Sequence, residues 1–344
     1  MMQVQVHASD SYTVRIGSRL LSAIGETVTR LTSAKKVCIV SDSHVWPLYG
    51  EKICQQLNAA SLEHCHFVFP AGENIKNLQT YQELLNFLAE HQLTRTDCII
   101  ALGGGVVGDL AGFAAATWLR GIPYIQVPTT LLAMVDSSVG GKTAINLPVG
   151  KNLCGAFYQP VAVLCDTDTL DTLPQEVFLD GCAEVIKYGV LYDQALFTHL
   201  TENGPHFDRE TVIAQCIEHK SNVVALDEFD TAERMKLNLG HTLGHAIERC
   251  SDYTVSHGKA VAMGMAMVCK ASHCPDYARI RGCLQKFFLP TTTDYSAEAL
   301  LPHVLSDKKR SANTVNLIIP RAIGDCRIVP TAIENLKTFI EEGL

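Results

Sequence analysis

"DCIIALGGGVVGDLAGF" (97–113) passes from an aliphatic, β-branched run into three consecutive glycines and then into an apolar, helix-compatible stretch. The order is strand, tight turn, helix, with Gly103, Gly105 and Gly108 in G-x-G-x-x-G spacing. Glycines at such a turn let the backbone approach a pyrophosphate, whose charge the helix N-terminus favours. The plain alternative is a tight turn without a ligand. The acidic residue that usually follows about 20 positions later is missing, since that region reads "QVPTTLLA". A nucleotide is therefore expected, but outside the standard Rossmann arrangement.

Working outward, "KKVCIVSD" (35–42), "HCHFVFP" (64–70), "YIQVPTT" (124–130) and "VAVLCDTD" (161–168) read as further strands. "VQVHAS" and "YTVRIG" before them read as a short hairpin. Amphipathic stretches such as "KNLQTYQELLNFLAEHQ" (76–92) lie between, the pattern of βαβ units on a mostly parallel sheet. Ligands on such sheets collect at the carboxyl ends of the strands, here "SD", "AGE", "GGG" and "PTT". "DSSVGGKT" (136–143) ends like a phosphate loop, yet Asp136 stands where the first glycine is required, which excludes a P-loop NTPase. The segment still offers Asp136 and Lys142, followed by Lys151 and Asn152; lysines suit phosphate or ribose contacts, although a lone lysine is more often a surface residue.

Near "DTLPQEV" (171–177) the pattern becomes helical, with Asp171 or Thr172 placed to cap a helix that has Pro174 in its first turn. Two short strands, "TVNLIIP" and "CRIVP", precede a terminal helix. The expected fold class is α/β. A mostly parallel nucleotide-binding domain, residues 1–172, precedes an α-helical domain, residues 173–344, with the active site in the cleft between them.

A formal charge of -8 argues against nucleic-acid and anionic-membrane partners, and leaves room for an anionic small ligand. No signal peptide and no apolar run of roughly 18 residues is visible. Thirteen scattered cysteines without a C-x-x-C pair fit reduced, mostly buried thiols, so a cytoplasmic location is expected.

The second half carries polar residues in apolar company. Glu184 and Lys187 in "GCAEVIKYG" share a helix face, as a buried ion pair or as a metal ligand beside a substrate-facing lysine. "LNLGHTLGHAIE" (237–248) supplies His241 and His245, four apart, and "SHGKAVAMGM" supplies His257, whose plain reading is a helix cap. One glutamate and two histidines would make an open zinc site, and spacing does not choose between His241 and His245. Arg234, Asn238, His241 and His245 follow helical steps along one stripe that would be costly to bury as plain core.

"VPTTLLAMVDSSVGGKTAINLPVGKNLCGAFYQP", "GCAEVIKYG" and "LNLGHTLGHAIE…HGKAVAMGM" together resemble the 3-dehydroquinate synthase family, over about residues 36–330. The resemblance implies NAD, one zinc or cobalt ion and a homodimer. It also implies conversion of 3-deoxy-D-arabino-heptulosonate 7-phosphate to 3-dehydroquinate and phosphate, by transient oxidation, elimination, re-reduction and intramolecular aldol closure. Other sugar-phosphate cyclases, and a metal- and NAD-dependent polyol dehydrogenase, are the alternative activities.

Carried onto matching positions, the resemblance makes Glu184, His241 and His257 the metal ligands and turns His245 toward substrate. Lys142, Asn152, Lys187, Lys220, Arg234 and Asn238 would join His245 there, with Arg120 from the partner subunit and Lys308 or Lys309. The NAD set would be Asp42, Glu73, Lys76, Gly104, Gly105 and Asp109, continued by Thr129, Thr130, Asp136, Lys151, Thr172 and Leu173, with Lys142 shared. Asp230 stands where the family typically has glutamate, four residues before Arg234, so its shorter side chain reaches less far.

Overall fold

The structure, a computed structural model, describes residues 1–305, 310–311 and 313–344. Lys308 and Lys309 lie outside the described residues.

By internal contacts the chain divides into two units, Met1–Leu173 with Arg209–Phe229, and Pro174–Asp208 with Asp230–Leu344. The expected division into consecutive blocks, 1–172 and 173–344, therefore needs a change. The helix carrying Lys220 groups with the first unit, because it packs on that unit's N-terminal strands.

The first unit is built on a seven-stranded sheet. Its strands are β1 (Met2–Val6), β2 (Tyr12–Gly17), β3 (Lys36–Asp42), β4 (Glu63–Phe69), β5 (Cys98–Gly103), β6 (Tyr124–Pro128) and, after the hairpin β7 (Lys142–Leu147) and β8 (Gly150–Phe157), β9 (Ala162–Asp166). The order is β1-β2-β9-β6-β5-β3-β4, parallel except for β1, which pairs antiparallel with β2.

Strand β5 is buried along its whole length, yet its side chains still alternate between two cores. Cys38, Val40, Ile99 and Ala101 face α3 (Leu78–Glu90) and α4 (Gly105–Thr117). Val37, Ile39, Ile100 and Leu102 face α1 (Ile24–Leu31) and α2 (Trp46–Ala59). Burial on both faces accounts for the continuous aliphatic runs in the sequence. The chain leaves β3 for β4 on one side and returns as β5 on the other. This reversal places the strand ends Asp42 and Gly103 at a topological switch point, where open α/β sheets bind ligands.

The second unit is mostly helical: α5 (Gln175–Tyr192), α6 (Gln194–Asn203), then, beyond α7 (Arg209–Leu226) of the first unit, α8 (His241–Cys250), α9 (His257–Ala271), α10 (Tyr277–Lys286) and α11 (Ala297–Leu305). A small antiparallel sheet of β10 (Arg310–Ser311), β11 (Thr314–Ala322) and β12 (Asp325–Ala332) precedes α12 (Ile333–Gly343). No described helix is long and apolar enough to cross a membrane.

Two local expectations change. Neither Asp171 nor Thr172 caps α5: Pro174 holds that position, while Asp171 pairs with Arg209 at 2.6 Å and the Thr172 hydroxyl meets Tyr49 and Thr169 O. The polar stripe is not one helix either. Residues Glu233–Asn238 form a 3-10 turn, and Gly240 at φ +78° resets the chain before α8. A Cβ on Gly240 would lie 2.6 Å from Val261 O, so glycine is required by conformation and by the close approach of α9.

Candidate active site

In the first unit, β5 ends at Gly103, Gly104 occupies the N-cap and α4 begins at Gly105. The glycines divide by role. A Cβ at Gly103 would meet Val107 at 2.5 Å and one at Gly108 would meet Gln126 at 2.7 Å, so those two serve packing. At Gly104 and Gly105 a Cβ would approach the Thr130 and Ser137 side chains at 3.1 Å. Bare backbone there leaves the first-turn N–H groups of α4 open to an anion. Thr129 N donates to Gly103 O at 3.0 Å, and its buried hydroxyl has no partner among the described residues. A glycine cradle beside an orphaned hydroxyl fits a nucleotide's phosphates.

Lys76 is the buried hub of this half. Its ammonium lies 2.7 Å from Asp109 Oδ2, 2.8 Å from Asn152 Oδ1 and 3.2 Å from Glu73 Oε1. Burial pushes its pKa down, but Asp109 and Glu73 override that and raise it above the ordinary lysine value. Asn152 holds φ +54°, a left-handed conformation that asparagine tolerates. Asp136 sits in a π-helical turn, Ala133–Ser137, and its carboxylate lies 2.9 Å from Lys220 Nζ. Asp42 Oδ1 accepts from His44 N and Val45 N, which fixes the chain between β3 and α2.

Lys142 opens β7, exposed, after Gly140 and Gly141, which take φ +90° and +71°. Lys151 is half-buried on β8. Arg120 is exposed on a tight turn at φ +70°. Thr172 and Leu173 form the end of the first unit's main segment.

In the second unit, Glu184 Oε1 lies 3.2 Å from His241 Nε2 and 3.2 Å from His257 Nε2, all three from different helices. Lys187, one turn along α5, forms an ion pair with the other oxygen of Glu184. The buried ion pair is thus present, on a carboxylate that also faces two imidazoles. Close packing of α8 on α9 makes the cluster possible: a Cβ at Gly264 would lie 2.1 Å from Gly240 O. His241 Nδ1 is held by Leu239 O at 3.1 Å, which turns Nε2 toward Glu184.

Burial pushes the Glu184 carboxyl up, but Lys187 and His241 reverse this and hold it well below the usual carboxylate range. Burial lowers His241 to about 4, whereas His257, against burial, is raised to about 10 by Glu184 and Glu248. Two imidazoles and one carboxylate, with donor atoms within 4.8 Å of one another, are a fitting donor set for a borderline divalent cation. His245 is half-buried, its ring 5.5 Å from that of His241, and with Glu248 and His257 it forms a second, overlapping group of donors. Arg234 is buried and Asn238 donates to Met235 O at 2.9 Å. Asp230 takes φ +59°, which aspartate tolerates.

Sequence reasoning missed Asn146, Asp180 and Glu248. The signal existed for two of them: Asp180 precedes Glu184 by four residues and Glu248 follows His245 by three, both helical-face spacings. Asn146 had no such signal, because a bulge in the β7–β8 hairpin places it.

The family model described as 3-dehydroquinate synthase N-terminal matches residues 66–180, and the 3-dehydroquinate synthase C-terminal one matches 181–310. A 3-dehydroquinate synthase of Pseudoalteromonas translucida (strain TAC 125) is 42% identical, covering 99% of this chain and 100% of the relative. Among solved structures, 2-deoxy-scyllo-inosose synthase complexed with carbaglucose-6-phosphate, NAD+ and Co2+ is 26% identical with TM-score 0.90, covering 100% of each chain. ValA, the 2-epi-5-epi-valiolone synthase of Streptomyces hygroscopicus subsp. jinggangensis 5008, solved with NAD+ and Zn2+, is 25% identical with TM-score 0.89, covering 99% of each. From these matches and the donor geometry above, the chain belongs to the 3-dehydroquinate synthase family.

Proposed function

We propose that the chain converts 3-deoxy-D-arabino-heptulosonate 7-phosphate to 3-dehydroquinate and phosphate, using NAD and one zinc or cobalt ion. The observation that carries this reading is the Glu184–His241–His257 donor set with Lys187 paired to the same carboxylate, in a chain of this family. Solved relatives of the same fold carry NAD with Co2+ or Zn2+, which supports both cofactors.

When bound, the cation supplies Lewis acidity to a substrate hydroxyl and NAD a temporary hydride acceptor, so no net redox occurs. The remaining work belongs to the chain. Gly104, Gly105, Thr129 and Thr130 receive the nucleotide phosphates, while Lys76 keeps Glu73, Asp109 and Asn152 in register. Asp42, Asp136, Lys151, Thr172 and Leu173 complete the nucleotide set.

Lys187, Arg234 and Lys220 supply charge for the substrate's carboxylate and phosphate, and Lys142, Asn152 and Asn238 orient it. The buried guanidinium of Arg234 offers a rigid fork suited to either anion. A substrate with two anionic groups matches this number of cations better than the polyol of a dehydrogenase. His245, half-buried beside His241 and His257, moves a proton, work to which an imidazole is suited. The protein acts as a cytoplasmic homodimer, with Arg120 serving the partner's site.

The test follows phosphate release from the heptulosonate phosphate while absorbance tracks NADH. Metal-dependent release without NADH accumulation, lost in Glu184→Gln, is the expected result. Steady NADH formation from a simple polyol, with the heptulosonate inert, would overturn the reading.

A further inference from the structure

His257 is the first residue of α9, where a side chain has fewer neighbours from its own helix to hold it. Two carboxylates outside the Glu184–His241–His257 set face it instead. Asp180 lies one turn before Glu184 on α5. Its Oδ1 accepts from Ser256 Oγ at 2.5 Å and from Lys259 N at 3.0 Å, and its Oδ2 accepts from Gly258 N at 3.0 Å.

Ser256 occupies the N-cap of α9 but makes no capping bond with its own side chain. The open N–H groups of the first turn are satisfied by a carboxylate from another helix, whose charge also suits the helix N-terminus. Contact this close requires Gly258, where a Cβ would lie 1.9 Å from Asp180 O.

On the ring side, Glu248 from α8 is 4% exposed and places Oε1 3.7 Å from His257 Nδ1, while Nε2 faces Glu184. The residues on both sides of His257 are therefore anchored by the helix that supplies Glu184, and its ring is faced by a carboxylate from the helix that supplies His241.

We infer that Asp180 and Glu248 are positioning residues for the cation site, holding His257 Nε2 in register with Glu184 and His241. This rests on the reading of those three residues as ligands. Carboxylates that orient a ligating imidazole typically change metal affinity 10–100-fold when removed. A cap with a purely structural role would lower stability and leave cation affinity alone.

The experiment titrates zinc into metal-free full-length protein against a competing chelator, and melts the protein with and without zinc. Asp180→Ala and Glu248→Gln are each expected to weaken zinc at least about tenfold and to shrink the zinc-induced rise in Tm. Asp180→Asn, which keeps one acceptor oxygen, recovers part of the affinity and carries the test should Asp180→Ala not fold. Wild-type zinc affinity in Asp180→Asn, Asp180→Ala and Glu248→Gln, whatever their Tm, overturns the inference. Glu184→Gln is the control: wild-type zinc affinity there sinks the ligand reading itself, whereas loss in Glu184→Gln alone sinks only the positioning roles.

Discussion

Asn146 Nδ2 donates to Glu73 Oε1 at 2.7 Å, and this bond ties the β7–β8 hairpin to the segment that carries Lys76. Its backbone acts in the same direction, and the rest of its amide group braces the hairpin itself. Asn146 N donates to Lys76 O at 2.8 Å, and Asn146 Oδ1 accepts from Asn152 N at 2.9 Å. One side chain thus joins residues assigned to nucleotide and to substrate.

Replacing Asn146 therefore affects NAD binding through charge as well as shape. Asn146→Ala removes the hydrogen bonds to the Glu73 carboxylate and from Asn152 N, and is expected to weaken NAD about fivefold. Asn146→Asp sets a carboxylate against Glu73 and is expected to weaken NAD further, about tenfold relative to Asn146→Ala; adding Glu73→Gln should restore part of the loss. Calorimetric titration of NAD measures all four proteins. Equal affinity in Asn146→Ala and Asn146→Asp would show that the Glu73 contact does not matter.

The α8–α9 contact offers a contrast between two glycines. Gly264→Ala forces a methyl group to within 2.1 Å of Gly240 O, so the helices must separate, with an expected loss of about 3 kcal/mol and weaker zinc binding as His241 and His257 part. Gly282, inside α10, has nothing within 4 Å of where an added methyl group would sit, and Gly282→Ala should stabilise by about 0.5–1 kcal/mol. Urea denaturation reads both. A gain in stability from Gly264→Ala would mean that α8 and α9 have room to spare at their contact.

Acid stability depends on a carboxylate of the first unit. Asp97 Oδ1 accepts from Lys36 N at 2.9 Å, and Oδ2 from Thr94 N at 2.7 Å and Thr94 Oγ1 at 2.8 Å, which pins the starts of β3 and β5. Burial opposes ionisation, but these bonds prevail and lower the pKa below the ordinary aspartate value. Because the unfolded carboxyl titrates near about 3.9, the stabilisation is complete above that pH. It drains away as pH falls through the lower folded value. Asp97→Asn should thus cost about 2 kcal/mol at neutral pH and much less near pH 3. Urea midpoints at the two pH values decide the matter, and an unchanged difference would count against the carboxylate's role.

Much of the first unit was legible in the sequence because each buried parallel strand declares itself locally. "KKVCIVSD" and "DCIIALGGG" need no knowledge of their neighbours to read as strands, and the observed β3 and β5 match them within a residue or two. The β7–β8 hairpin was not legible. "KTAINL" and "GKNLCGAF" are mixed in character and half-exposed, and their pairing depends on packing over α4. The polar stripe was misread as a single helix because periodicity continues across Gly240, and only the backbone shows the break.

By itself, then, the sequence determined the α/β class, the glycine turn after β5 and the residue types able to hold a nucleotide and a cation. Spacing along one chain could not choose between His241 and His245, since both lie on the same helical face. What the tertiary structure adds is partners: α5 brings Glu184 to 3.2 Å from both His241 Nε2 and His257 Nε2, while His245 groups with Glu248 and His257. It also grouped α7, and with it Lys220, with the first unit. The physical reason is the same in each case. A donor set and a packed helix are fixed by which backbones can approach closely, and that is settled by contacts such as Gly240 on Gly264 and Gly258 on Asp180, between residues far apart in the chain.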